Sequence, residues 1–151
     1  MPDARLERDF PVPVETLFAY VTEPARLIEW FGPEGVDLAD AAMDFTRPGP
    51  WFAVMVGRDS GNRFKVSGQV THVRPLASVG LTWAWHDDAD RRGAESHVTL
   101  AVAGTPTGSR LVIDHRDLAD AEAVASHTAG WTSTLAKLTR LLALPPARKE
   151  I

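Results

Sequence analysis

The stretch HTAGWTSTLAKLTRLLA, His127 to Ala143, limits most strongly what this chain can fold into. Val124, His127, Trp131, Leu135, Leu138 and Leu142 recur at steps of three and four, which lays one apolar stripe along a long helix. A stripe of that extent needs a partner surface of similar length. Within it, Gly130 stands beside Trp131, although glycine costs a helix interior about 1 kcal/mol relative to alanine. Gly130 lies about 100° round the helix from Trp131, on the flank of Thr134 and Leu141, and its missing side chain is assigned to the close approach of another backbone. The helix is expected to start near Asp117 or Asp120 as N-cap and to stop before Pro145-Pro146.

The partner surface is written in the preceding hundred or so residues. ARLERDFPV alternates as a first strand over residues 4 to 12. Pro13 then suits a helix start, with Val14, Leu17, Phe18 and Val21 as its stripe, and Thr22 with Pro24 restarts the chain into a second short helix that stops at Gly32-Pro33. From Val36 onward the texture changes. PWFAVMVG, RFKVSGQVTHV, ASVGLTWAW, ESHVTLAVA and SRLVIDHRD read as strands, joined by RDSGN, RPL, HDDADRRGA and GTPTG, with GVDLADAAMDF as a weaker candidate before them. Short connections predict antiparallel neighbours. The order is α+β, with helices segregated from an antiparallel sheet.

Strand phase selects the inward faces: Trp51 with Met55, then Val79, Leu81, Trp83 and Trp85, then Leu111, Ile113 and His115. Five tryptophans against one tyrosine make these faces unusually bulky. Each indole brings an N–H that needs a partner, so the set suits a core or the wall of a ligand pocket.

Several chemistries are excluded or disfavoured. With no cysteine there is no disulfide, thiolate metal site or cysteine nucleophile. His72, His86, His97, His115 and His127 show no His-x-His or His-x-x-x-His spacing, and DDADRRG lacks the ligand set of a calcium loop, so no metal and no cofactor is expected. A net charge of -4 without a basic stripe argues against nucleic acid. The start MPDARLERDF lacks the basic head and apolar run of a secretory signal and no segment is apolar enough to span a membrane, so a cytoplasmic location without membrane attachment is expected. There is no Gly-x-Ser-x-Gly elbow, and nothing in the sequence sets Ser67, Ser96 or Ser133 against an orienting His-Asp pair, so a triad is not expected. His115 and His127 remain as candidate acid–base groups on apolar faces, although hydrogen bonding to neighbouring protein groups is the commoner role for such histidines. Asp114 and Arg116, in the opposite phase to His115, are expected to face solvent.

Four segments, RDFPVPVETLFAYVTEPARLIEWFGPEG, TRPGPWF, GQVTHVRPLASVGLTW and HTAGWTSTLAKL, together resemble the family of proteins similar to the C-terminal domain of the activator of Hsp90 ATPase, within the START-like helix-grip superfamily. The resemblance runs over nearly the whole chain. It implies a helix-grip (Bet v 1-like) fold in one domain over residues 1 to 144 with a tail at 145 to 151. It also implies a cavity for a small apolar molecule between the sheet and the last helix. Where the family has a Gly-Gly turn this chain has Gly49-Pro50, and Phe45 or Thr46 stands at the preceding acidic position. No counterpart of the co-chaperone's N-terminal domain is expected, so Hsp90 activation is not carried over.

The expected wall is Trp51, Met55, Trp83, Trp85, His115, His127 and Trp131, with Trp30 and Phe31 near the entrance; these two could close the pocket mouth, pack under their loop or meet the second subunit of a homodimer, and packing together with a place at the rim is the favoured reading. Catalytic residues are not assigned. The alternatives are an enzyme of cyclase, dehydratase or hydrolase type using His115 or His127, and a protein-interaction module resembling the Hsp90 activator domain.

Overall fold

The computed structural model describes residues 3–143, so the Pro145-Pro146 stop and the tail lie outside the described residues. Strand β1 (Ala4–Phe10) is followed by helices α1 (Val14–Thr22) and α2 (Pro24–Leu27). Strands β2 (Val36–Ala42), β3 (Gly49–Gly57), β4 (Arg63–Arg74), β5 (Ser78–Trp85), β6 (Ser96–Thr105) and β7 (Gly108–Arg116) come next, and helix α3 (Ala121–Leu142) ends the series. The strands form one antiparallel sheet in the order β1-β7-β6-β5-β4-β3-β2. This is the expected α+β helix-grip arrangement.

Local chemistry sets the element ends. β1 stops at Phe10, two residues earlier than expected, because Pro11 has no N–H to donate to a ladder. The second helix ends at Leu27 and not at Gly32; residues 28–30 continue as turns. The weaker candidate GVDLADAAMDF does contain a strand, and the register shift between Leu38 and Asp40 explains its poor alternation. Asp120 is the N-cap of α3, its carboxylate accepting from the Ala123 N–H at 2.8 Å, whereas Asp117 sits in a left-handed conformation with φ +65°.

The stripe of α3 supplies Trp131, Leu135, Leu138 and Leu142 to a core shared with Val66, Val79, Leu81, Val98, Leu111 and Ile113 of the sheet. Trp30 lies inside this core, 1% exposed, and its indole N–H donates to the Tyr20 carbonyl at 2.8 Å, which fastens the turn after α2 to α1. Phe31, 4% exposed, meets Trp51 and Trp131 edge-on. The packing expected of these two residues is what the structure shows, and the place at an exposed rim or contact patch is corrected: both are buried. Two aromatic side chains next to an open sheet end remove more apolar area from water by folding inward than by forming a rim.

Candidate functional site

The sheet and α3 do not close completely on each other. Between them lies a cavity of ≈ 340 Å³. Its floor follows from strand register. Met55 of β3 pairs directly with Phe64 of β4, and Trp85 of β5 pairs with Val66, so Met55, Phe64 and Trp85 fall on the inner face beside Trp83. The roof is α3, through Ser126, His127, Gly130, Trp131 and Thr134. Gly32, Pro33 and Val36 form one edge. That edge is fixed to α3: Ser133 Oγ accepts from the Glu34 N–H at 2.7 Å, and Lys137 Nζ donates to the Gly32 carbonyl at 3.1 Å. Partial burial, the largest influence on it, lowers the Lys137 pKa. At φ +93°, Gly32 occupies backbone space that disfavours side chains, and a Cβ there would stand 3.1 Å from Met55 Sδ.

Gly130 requires a second correction. A Cβ at this position would meet nothing within 4 Å outside its own helix backbone, so no other backbone approaches it. The missing side chain instead leaves part of the cavity roof open.

Of the seven expected wall residues, Met55, Trp83, Trp85, His127 and Trp131 line the cavity. Trp85 is 37% exposed because β5 ends there, so it stands at the mouth. Trp51, Trp30, Phe31 and His115 do not line the cavity; they form the buried layer behind it. Trp51 donates its N–H to the Thr82 carbonyl at 3.2 Å. Phe64, Val36 and Gly32 were missed. Phe64 has the inward phase of Val66, which a reading of β4 by alternation would have found, whereas Gly32 and Val36 reach the mouth through the loop after α2 and left no periodic signal.

The histidines behind and beside the cavity have defined proton positions. The Trp131 N–H donates to His115 Nδ1 at 3.1 Å. An indole N–H only donates, so Nδ1 carries a lone pair and the proton is on Nε2, which donates to Ser96 Oγ at 2.7 Å. The Ser96 hydroxyl in turn donates a hydrogen bond to the Trp83 carbonyl at 3.3 Å. Burial, followed by the neighbouring His127 and His97, pushes the His115 imidazole down to about 3, in keeping with this neutral form. His127 follows the same logic: Trp85 Nε1–H donates to Nε2 at 3.1 Å, and Nδ1–H donates to the Ala123 carbonyl at 2.9 Å. The two imidazoles lie 4.5 Å apart, centroid to centroid. All four ring nitrogens are engaged by the protein, which fixes the positions of two cavity tryptophans.

The Trp83 indole is the centre of this cluster, with Phe31, Trp51, Trp131 and His115 around it at 5.3–6.0 Å. Its N–H has no hydrogen-bond partner among the described residues. No group of three or more His, Asp or Glu side chains among the described residues is placed to hold a metal. No helix of the described residues is long and apolar enough to cross a membrane.

Comparison with known proteins supports this architecture. Residues 11–143 match the family described as Activator of Hsp90 ATPase homolog 1-like protein. A crystal structure of an AHSA1 protein from Silicibacter pomeroyi is similar at 56% identity, covering 93% of this chain and 96% of the other, with a TM-score of 0.88. A protein from Chromobacterium violaceum shares the fold at 21% identity and a TM-score of 0.84, over 96% of this chain and 100% of that one. An AHSA1-like protein from Aeromonas hydrophila does so at 17% identity and a TM-score of 0.72, covering 91% and 90% of the two chains. No match was found among curated proteins. With a family match spanning α1 to α3 and a helix-grip sheet around the last helix, the chain belongs to the Activator of Hsp90 ATPase homolog 1-like family.

Proposed function

We propose that the protein binds a small, mostly apolar molecule in the cavity between the sheet and α3. The observation that carries this reading is the ≈ 340 Å³ space bounded by Met55, Phe64, Trp83, Trp85 and Trp131, which lies within the size range of small-molecule sites. Aromatic walls favour a ligand that is flat or aliphatic. Catalysis by His115 or His127 is the weaker reading, because a ligand would have to displace an indole N–H, the Ser96 hydroxyl or a helix carbonyl to reach a ring nitrogen. The interaction-module reading loses the surface it relied on, since Trp30 and Phe31 are core residues.

Thermal melts with a panel of short-chain aliphatic and polycyclic aromatic compounds test the proposal. A ligand present at about 100 times its dissociation constant stabilises the native state by about 2.7 kcal/mol. No shift with any compound, at concentrations up to solubility, would reject an apolar-ligand function.

A further inference from the structure

The outer face of the sheet, turned away from α3, carries an unrelated side-chain cluster. In β4, Lys65, Ser67 and Gln69 have the opposite phase to buried Val66 and Val70. Ser67 pairs with Phe52 on one side and Ala84 on the other, and His86 follows Ala84 by two residues on that same face. This register places Ser67 Oγ 2.7 Å from His86 Nε2, and His86 Nδ1 2.8 Å from Asp90 Oδ1. The tertiary structure thus sets Ser67 against a His-Asp pair that nothing in the sequence indicated. The proton order follows from the acceptor at the end. The Asp90 carboxylate accepts from Nδ1–H, which leaves the Nε2 lone pair to take the Ser67 hydroxyl proton. Arg92 adds a cationic donor at the same oxygen, with Nε 3.0 Å from Ser67 Oγ and Nη2 3.1 Å from the Ser67 carbonyl oxygen.

The loop that brings these groups to Ser67 is held in place. His86 and Arg92 form a β-bridge, and the Gly93 N–H donates to the Trp85 carbonyl at 2.8 Å. The Asp87 carboxylate accepts from the Ala89 and Arg91 N–H groups, each at 2.9 Å. Asp90 sits at φ +63°, a left-handed conformation that aspartate tolerates better than most residues, and this turns its carboxylate back toward His86. Lys65, 3.3 Å away, together with His86 holds the Asp90 carboxyl below the usual carboxylate range, so it stays ionised. Beside Ser67 a second cavity of ≈ 340 Å³ opens to solvent, lined by Phe52, Lys65, Gln69, Arg92 and Glu95, the last of which accepts from the Arg92 guanidinium at 3.3 Å.

We propose that Ser67, His86 and Asp90 form a nucleophilic triad that hydrolyses small carboxylic esters on the outer face of the sheet. Ser67 Oγ forms a bond to the acyl carbon as its proton passes to His86 Nε2, and the carbonyl oxygen takes up the negative charge beside the Arg92 guanidinium. The acyl–oxygen bond to the alcohol breaks and the alcohol leaves with the proton from His86. Water then repeats the sequence: it gives a proton to His86, its oxygen bonds to the acyl carbon, and Ser67 is released with its hydroxyl restored and a carboxylic acid as the other product. Asp90 keeps the imidazole in the required tautomer. This site is independent of the inner cavity and does not rest on its occupancy.

Covalent labelling of the wild-type protein with an alkyl fluorophosphonate, mapped by peptide mass spectrometry, is the direct test. The expected result is a phosphonyl adduct on Ser67 that is lost in His86→Gln, together with hydrolysis of p-nitrophenyl acetate at least about 100-fold faster in wild type than in Ser67→Ala. Circular dichroism on each variant checks the fold, and the wild-type labelling needs no variant. The absence of an adduct at Ser67 in the folded wild type would overturn the proposal. So would equal esterase rates in the wild type and folded Ser67→Ala.

Discussion

Replacing Gly130 with alanine should raise stability, although the position lies beside the most crowded aromatic cluster in the molecule. Two contributions set the size. In a helix interior, alanine is favoured over glycine by about 1 kcal/mol, mostly through the entropy of the unfolded chain. The packing contribution is near zero, because the added methyl group meets nothing within 4 Å outside the helix backbone. The net expectation is about 0.5–1 kcal/mol of stabilisation, read as a rise of roughly 1–4 °C in Tm for a chain of this size. Gly130→Leu extends the test. Its isobutyl group projects into the ≈ 340 Å³ cavity, so stability should be kept or improved while ligand-induced shifts of the melt shrink. Differential scanning calorimetry of the three proteins, with and without an apolar ligand that shifts the wild type, provides the measurement. A loss of 1 kcal/mol or more in Gly130→Ala would refute the reasoning, because it would mean that the methyl group meets a close neighbour. Unchanged ligand shifts in Gly130→Leu would place the ligand elsewhere.

Two further outcomes follow from the buried histidine relay. His115 has a folded pKa of about 3 against about 6.5 in the unfolded chain, so between these values the unfolded state binds the extra proton; the stability contributed by neutral His115 is present above pH 6.5 and is lost as pH falls, by about 2 kcal/mol between pH 7 and pH 5. Denaturant titrations at the two pH values should show this difference in wild type and a flatter response in His115→Gln, and identical pH responses would contradict the assignment. Trp131→Phe keeps an aromatic ring but removes the N–H that His115 Nδ1 accepts, so a loss of about 1–3 kcal/mol is expected from the stranded buried acceptor. A neutral result in chemical denaturation would show that this hydrogen bond contributes nothing net.

Most of the fold was legible because it is encoded locally. The step of three and four in α3 and the alternation in β5 and β7 state which residues share a face, and the short connections state which strands are neighbours. The weak reading of β2 had the same origin, since a register shift interrupts the alternation on which such a reading depends. The candidate site was legible only in part. Phase placed Trp51 and Trp85 alike on inner faces, yet one is 2% exposed and the other 37%, because depth depends on where each strand ends relative to α3. Trp30 and Phe31 belong to a segment without periodicity, so nothing local separated full burial from packing at the pocket rim.

The sequence alone determined the single long amphipathic helix, the α+β order, the inward phase of the tryptophans and the absence of thiol chemistry, all of which depend on composition or on spacing of a few residues. Only the tertiary structure decided that Gly130 opens a cavity and does not admit a backbone, that the nitrogens of His115 and His127 are engaged by Trp131, Ser96, Trp85 and Ala123, and that Ser67 meets His86 and Asp90. These last features depend on register between strands and on the path of a loop. Contacts of that kind join residues 19 or 42 positions apart, as in Ser67–His86 and Trp85–His127, and no local pattern fixes how such distant pieces are brought together.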